Sequence, residues 1–296
     1  MDFLKLEVSD GWLYGGTGHA FVLNIHDDLC PSGPTAWKAG PVFRLGRNLG
    51  YKVQGVQAFK SDPAGLAEGQ QQAWSLVRDA IDDGIPCFGW ELEVPEYYVV
   101  YGYDEAGYYI SGPGCNEGRG PKSWTELGDT GIGVLEMYRL QQGPAAEDEQ
   151  VLKEALAFAL EHATDTHKWV FPDYHAGLAG YEAWIDALQN GRADAMGMAY
   201  NTAVWKECRG FAAQFLQEAR ERLSGHADDL LAKAAGRYQT VFDHLTTVAD
   251  LFPFHGIDPR HFKDGDRVNT AIRALRDAKT AETKGLECLR AIVAAL

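Results

Sequence analysis

The sequence predicts an α+β protein, with an antiparallel sheet and one central helix in the first half and an all-α helical bundle in the second. Three observations predict this. Before residue 143 the apolar segments are short, aromatic or β-branched, and bounded by Gly, Pro or Asp. After it, apolar residues recur at helical spacing through five long segments. Between them, "QQGPAAEDE" at 141–149 offers a Gly-Pro break followed by acids suited to a helix N-terminus. Domains of 1–142 and 147–296 are therefore expected.

In chain order, a helix is expected to start near Gly18 and cover "HAFVLNIHDDL", with Thr17 as its N-cap and "CPSGP" (30–34) as its ending turn. Strands are expected at 51–59, 86–92, 97–103, 107–111 and 132–140. The long helix at 63–83 turns Leu66, Ala73, Leu76, Val77, Ala80 and Ile81 inward. "PEYYVVYGYDEAGYYISGP" (95–113) is the clearest hairpin, with Gly107 expected at positive φ in its turn. In the second half, helices are expected at 149–163, 178–189, 193–223, 227–251 and 266–295. Short connections make them an antiparallel bundle. Irregular breaks fall at 167–177 and 251–262.

The 296 residues are enough for a full core. The formal net charge is −15, and both halves are acidic: 10 Lys and Arg against 19 Asp and Glu over 1–142, and 17 against 23 over 143–296. Neither half offers a basic surface for nucleic acid or an anionic membrane. The first residues, "MDFLKLEVSDGW", read as no signal peptide, and no apolar run spans a bilayer. Five scattered cysteines without a CxxC pair fit a reduced, cytoplasmic setting without structural zinc. Phosphate-loop, dinucleotide-fold, nucleophile-elbow and zinc-protease patterns are missing, so neither cofactor nor metal is expected.

The stretch Gly16-Thr17-Gly18-His19-Ala20-Phe21 resembles the Gly-Ser-Cys-Trp-Ala-Phe start of the papain-like central helix. With the 95–113 hairpin, it makes residues 10–142 look like the thiol hydrolase fold. More narrowly, the chain is similar to the bacteriocin-leader-peptidase-like and butirosin-biosynthesis-H-like groups, which often carry a helical C-terminal extension. The resemblance places the nucleophile at Gly18, the base at Glu96, the orienting residue at Gly112 and the oxyanion residue at Trp12. A thiolate, an imidazole and an orienting group are what the chemistry needs, and these positions supply none of them. The resemblance thus implies the scaffold without the activity: a non-catalytic relative binding a small molecule or short peptide in a degenerate cleft.

Trp12, Trp37, Trp90, Glu91, Glu96 and Tyr97, with Thr17, Gly18, His19 and Gly112, are the candidate walls of that aromatic, acidic cleft. Asn201, Trp205 and Arg209 share one helix face, and Arg209 either pairs across the bundle or grips a ligand carboxylate. On a helix, His19 and His26 would stand about 10.5 Å apart, too far for one metal ion. Two other readings stay open. One is a thiol acyltransferase or amide hydrolase using Cys30 or Cys87. The other is an interaction protein forming a homodimer through its helical half.

Overall fold

The computed structural model describes residues 4–165, 167–223, 225 and 227–296. The chain divides into two units: residues 4–6 with Gly50–Gly143, and Glu7–Leu49 with Pro144–Leu296. The α+β class holds, and the chain passes from one unit to the other at the expected junction near 143. The difference lies at the start. Residues 7–49 are built into the helical unit, whereas the sequence grouped them with the sheet.

The sheet unit carries six strands in the order β2-β7-β3-β4-β5-β6: β2 (Leu49–Phe59), β3 (Cys87–Trp90), β4 (Tyr97–Tyr103), β5 (Gly107–Ser111), β6 (Arg119–Ser123) and β7 (Val134–Ala145). Pairing is antiparallel from β7 through β3, β4 and β5 to β6. Period-2 alternation decides what each face carries. Ala58, Cys87, Tyr98, Val100, Tyr108, Ile110, Leu135 and Met137 point to one face. There helix α3 (Pro63–Asp82) covers them with Leu66, Ala73, Val77 and Ala80. Asp62 caps α3 by accepting from the Gly65 amide. Leu76 and Ile81 pack at the margin of this core.

The hairpin is as expected except at Gly107. Asp104 Oδ1 accepts from the Ala106 and Gly107 amides and closes the turn. Gly107 is not at positive φ. Its lack of a side chain serves another purpose: a Cβ there would stand 1.8 Å from the Lys122 carbonyl oxygen of β6. Gly107→Ala is therefore expected to cost about 1–3 kcal/mol through forced strand separation. Hydrogen exchange at the β5 and β6 amides is the measurement, and unchanged protection there would contradict it.

The helical unit holds α1 (Asp10–Gly16), β1 (Asn24–His26), α2 (Gly40–Leu45), α4 (Asp148–Thr164), β8 (Tyr174–Ala176), α5 (Gly177–Gln189), α6 (Ala195–Arg222), α7 (Asp228–Leu251) and α8 (Gly265–Ala295). The five expected helices of the second half all form. Trp184, Met198, Trp205, Cys208, Val241, Leu245, Leu275 and Ala278 meet in its core. Helix α1 lies against α6. Gly15 permits this, because a Cβ there would strike the Phe215 ring at 2.0 Å.

The helix expected from Gly18 does not form. Gly18 is left-handed (φ 76°), a single 3-10 turn follows at His19–Phe21, and the chain then extends into β1. β1 pairs with β8 about 150 residues away, setting Asn24 opposite Ala176 and His26 opposite Tyr174. The Asn24 amide donates to the Gly33 and Ala36 carbonyls and fixes the following loop. Thr17 caps the other end of a different helix: it is the C-cap of α1, with its hydroxyl donating to the Leu13 and Tyr14 carbonyls. Among the described residues, no helix is long and apolar enough to cross a membrane.

Candidate functional site

The sequence candidates fall into two groups, one in each unit. Most of the helical-unit group is core. Trp12 is buried against Phe215, ring centroids 5.0 Å apart, with the Arg222 guanidinium over its ring at 4.1 Å. Thr17 is buried. A Cβ on Gly18 would meet the Phe158 ring at 2.4 Å, so a nucleophile side chain has no room there. His19 lies between Tyr14 and Trp37, 5.6 Å from each ring centroid, and burial lowers its pKa to about 4. Trp37 donates its indole N–H to the Pro34 carbonyl at 2.9 Å.

Arg209 is 0% exposed and pairs two-pronged with Glu282 of α8: Nε to Oε2 at 2.9 Å and Nη2 to Oε1 at 2.7 Å. Its Nη1 donates to the Ala20 and Val22 carbonyls at 3.1 and 2.7 Å. This side chain joins three segments of the core, and its reach ends within the protein. The pairing alternative is the one observed. Asn201 and Trp205 share its face, with the Trp205 indole donating to the Asn201 carbonyl oxygen.

In the sheet unit, Glu91 and Gly112 have structural work. Glu91 takes a left-handed φ of 55°; its amide donates to the Glu96 carbonyl and its carboxylate accepts from Thr130 at 2.6 Å. Gly112 lies under the Tyr98 ring, where a Cβ would approach to 2.7 Å. The Tyr98 hydroxyl accepts from the Val94 amide and donates to the Pro113 carbonyl. Glu96 is half-buried at the start of the same hairpin.

Trp90 and Tyr97 are brought together, directly opposite across β3 and β4, with ring centroids 5.1 Å apart. They stand on the sheet face opposite α3, with residues the sequence reading passed over. Phe88 packs on Tyr97 (6.1 Å) and on Tyr138 of β7 (5.2 Å). Glu136, two residues before Tyr138, puts its carboxylate among these rings. It accepts from the Tyr97 hydroxyl and from Gln57 Nε2 (2.8 Å), and the Tyr138 hydroxyl also bonds to it. The pKa values of Tyr97 and Tyr138 are raised, first by burial and then by the neighbouring Glu136 charge. Both phenols therefore stay protonated as donors. Gly55 leaves space for the Tyr138 ring, which a Cβ would meet at 2.1 Å. On the same face, Val99 and Tyr101 are 47% and 50% exposed.

A pattern for these residues was available: Phe88/Trp90 and Glu136/Tyr138 alternate against the core residues Cys87, Leu135 and Met137. What the sequence lacked was the β3–β7 register, Phe88 opposite Tyr138, that joins them.

Of the five cysteines, Cys87, Cys115, Cys208 and Cys288 are buried. Burial pushes the Cys87 and Cys208 thiols up to about 12. Cys30 is partly exposed, and its sulfur accepts from the Ser32 hydroxyl at 3.0 Å. Ser32 in turn shares a 2.6 Å hydrogen bond with the Tyr174 hydroxyl. Among the described residues, no group of three or more His, Cys, Asp or Glu is placed to hold a metal ion. Two surface hollows of the helical unit are lined by none of the candidates, one beside Phe252 and Ile257, the other between α6 and α7. No protein-family model matches the chain, and no curated protein matches it.

Proposed function

We propose that this protein is a non-catalytic relative of the papain-like thiol hydrolases that binds a small molecule or short peptide on the aromatic face of its sheet. The observation that carries the binding half is the cluster of Phe88, Trp90, Tyr97 and Tyr138 around the Glu136 carboxylate. Aromatic walls with a few convergent polar groups are what ligand sites use. Support for the non-catalytic half comes from Gly18, Glu96 and Gly112 at the three working positions of the resemblance. Phe158 and Tyr98 fill the space beside the two glycines.

Thermal-shift screening against amines, amino acids and short peptides tests the binding. A ligand that raises the melting temperature of the wild type is expected to lose that effect in Trp90→Ala. A shift that survives Trp90→Ala removes this face from the proposal.

A second reading, thiol chemistry at Cys30, is favoured by one observation: the Tyr174–Ser32 hydroxyl pair ends on its sulfur. Labelling of the native protein with iodoacetamide at neutral pH separates the two. The binding reading expects Cys30 to react at the rate of an ordinary free thiol and the other four to be protected. A Cys30 rate at least tenfold above that of free cysteine would favour the enzyme.

A further inference from the structure

Glu136 is an anion with an unusual set of companions. All its donors are neutral: two phenols and one amide. Among the described residues, no lysine, arginine or histidine forms an ion pair with it. A carboxylate has about four lone-pair positions, and three are taken, which leaves one for a further donor. The surrounding rings add to this. The faces of Phe88, Tyr97, Tyr138 and Trp90 carry the negative side of the aromatic quadrupole, which attracts cations and is indifferent to neutral groups of the same shape. Two of these rings also hold the carboxylate in position through their hydroxyls, so anion and ring faces form one rigid unit. Tyr97, Tyr138, Phe88 and Glu136 all keep part of their surface open. The chain's net charge of −15 adds a field that concentrates cations near the surface.

We propose that this cluster recognises an organic ammonium group, with Glu136 as counter-charge, Phe88, Tyr97 and Tyr138 as the aromatic wall, and Trp90 packed against Tyr97 in support. This inference rests on the binding reading above and gives it a ligand class. The same chemistry is offered by a small primary amine and by the lysine or free N-terminus of a short peptide. Both bring a cation carried on an apolar stem.

The experiment compares charged and neutral probes of one shape. Benzylammonium is titrated against benzyl alcohol, and the peptide acetyl-Lys-Gly-Gly-amide against its Nζ-acetylated form, by isothermal titration at low salt. Backbone amide shifts at 88–90 and 136–138 locate any binding. The charged member of a pair is expected to bind at least tenfold more tightly than the neutral one and to shift those amides. Glu136→Gln, which keeps the shape, is expected to weaken it at least tenfold. Phe88→Leu, which keeps the carboxylate, is expected to weaken it severalfold, and stands in if Glu136→Gln does not fold. Benzylammonium binding without the peptide identifies a small amine as the source, and the reverse identifies a peptide.

The proposal is overturned if the neutral probe binds as well as the charged one, if Glu136→Gln binds with unchanged affinity, or if no charged probe shifts the 88–90 and 136–138 amides. These failures are distinguishable from failure of the binding reading. A neutral ligand whose effect disappears in Trp90→Ala keeps the aromatic face as a binding site and removes only the cation. A protein that responds to no probe and no member of the wider screen loses both.

Discussion

Arg209→Met is expected to destabilise the protein by about 3–5 kcal/mol, a large part of the roughly 5–15 kcal/mol that folds a typical domain. The reason is what the substitution leaves behind. Glu282 is 2% exposed and, among the described residues, pairs with no cation but Arg209; with the arginine gone, a buried carboxylate keeps the Tyr181 hydroxyl, 2.6 Å away, as its remaining described donor. The Ala20 and Val22 carbonyls lose their donor as well. Burial by itself would lower the arginine pKa, but the adjacent Glu282 carboxylate reverses this and raises it, so the guanidinium stays charged. Tyr181→Phe removes one donor of the same network and is expected to cost less, about 1–2 kcal/mol. Arg209→Met with Glu282→Met removes both charges. It should recover much of the loss but not all, because the two carbonyls remain unpaired. Urea unfolding of the four proteins measures the set. An Arg209→Met protein within 1 kcal/mol of wild type would show that water reaches the pair, contrary to its burial.

The same arginine shows which parts of the structure are legible in a sequence. Its helix is, because the spacing of Met198, Trp205, Cys208, Ala212, Phe215, Leu216 and Ala219 selects a helical period over 28 residues. All seven are buried. Its partner is not: Glu282 is 73 residues away on a helix whose rotation against α6 is a matter of tertiary packing. The strands of the 95–113 hairpin are equally legible, since pattern and turn chemistry agree over a short stretch.

Residues 18–28 show the opposite. Their composition tolerates a helix, but Gly18, the Asn24 side chain and the remote β8 strand favour an extended path that no local signal announces. The candidate face divides in the same way. Trp90 and Tyr97 stand close in sequence, and the hairpin pattern suffices to bring them together. Glu136 and Tyr138 enter through a strand pairing across about 50 residues, and Gln57 from a fourth strand. The sequence also pooled Trp12, His19 and Trp37 with Trp90 and Tyr97, because aromatic content carries no record of which unit a residue joins.

Acid is expected to destabilise this protein through two histidines, His162, which is buried, and His19, which keeps part of its surface open. His162 is fully buried on α4, and its Nε2 lies 3.2 Å from the Leu23 amide nitrogen and 3.1 Å from the Leu23 carbonyl oxygen. Among the described residues the Leu23 amide has no other partner in a turn or loop, so the economical arrangement is for Nε2 to accept from it. The proton then sits on Nδ1, which has no hydrogen-bond partner among the described residues. Burial lowers the His162 pKa to about 4; the Leu23 backbone contact opposes this, and the nearby Arg209 and His19 charges act with burial.

In the unfolded chain the ring returns to about 6.5. Between these values the unfolded state binds the extra proton, so stability is intact above pH 6.5 and falls as the pH drops towards 4. One group shifted by this much accounts for ~3 kcal/mol over the window. His19, lowered to about 4 by burial, adds a second proton over the same range. Wild-type unfolding free energy should therefore fall by up to ~2.7 kcal/mol per pH unit near pH 5, the slope of two protons. His162→Gln is expected to be less stable at pH 7, where the ring's fit is lost, and to show about half that slope. Urea titrations at pH 7, 6, 5 and 4.5 read both quantities. A wild-type slope near zero across this window, or a His162→Gln slope equal to it, would mean that the ring is already protonated in the native state and that Nδ1 has an acceptor.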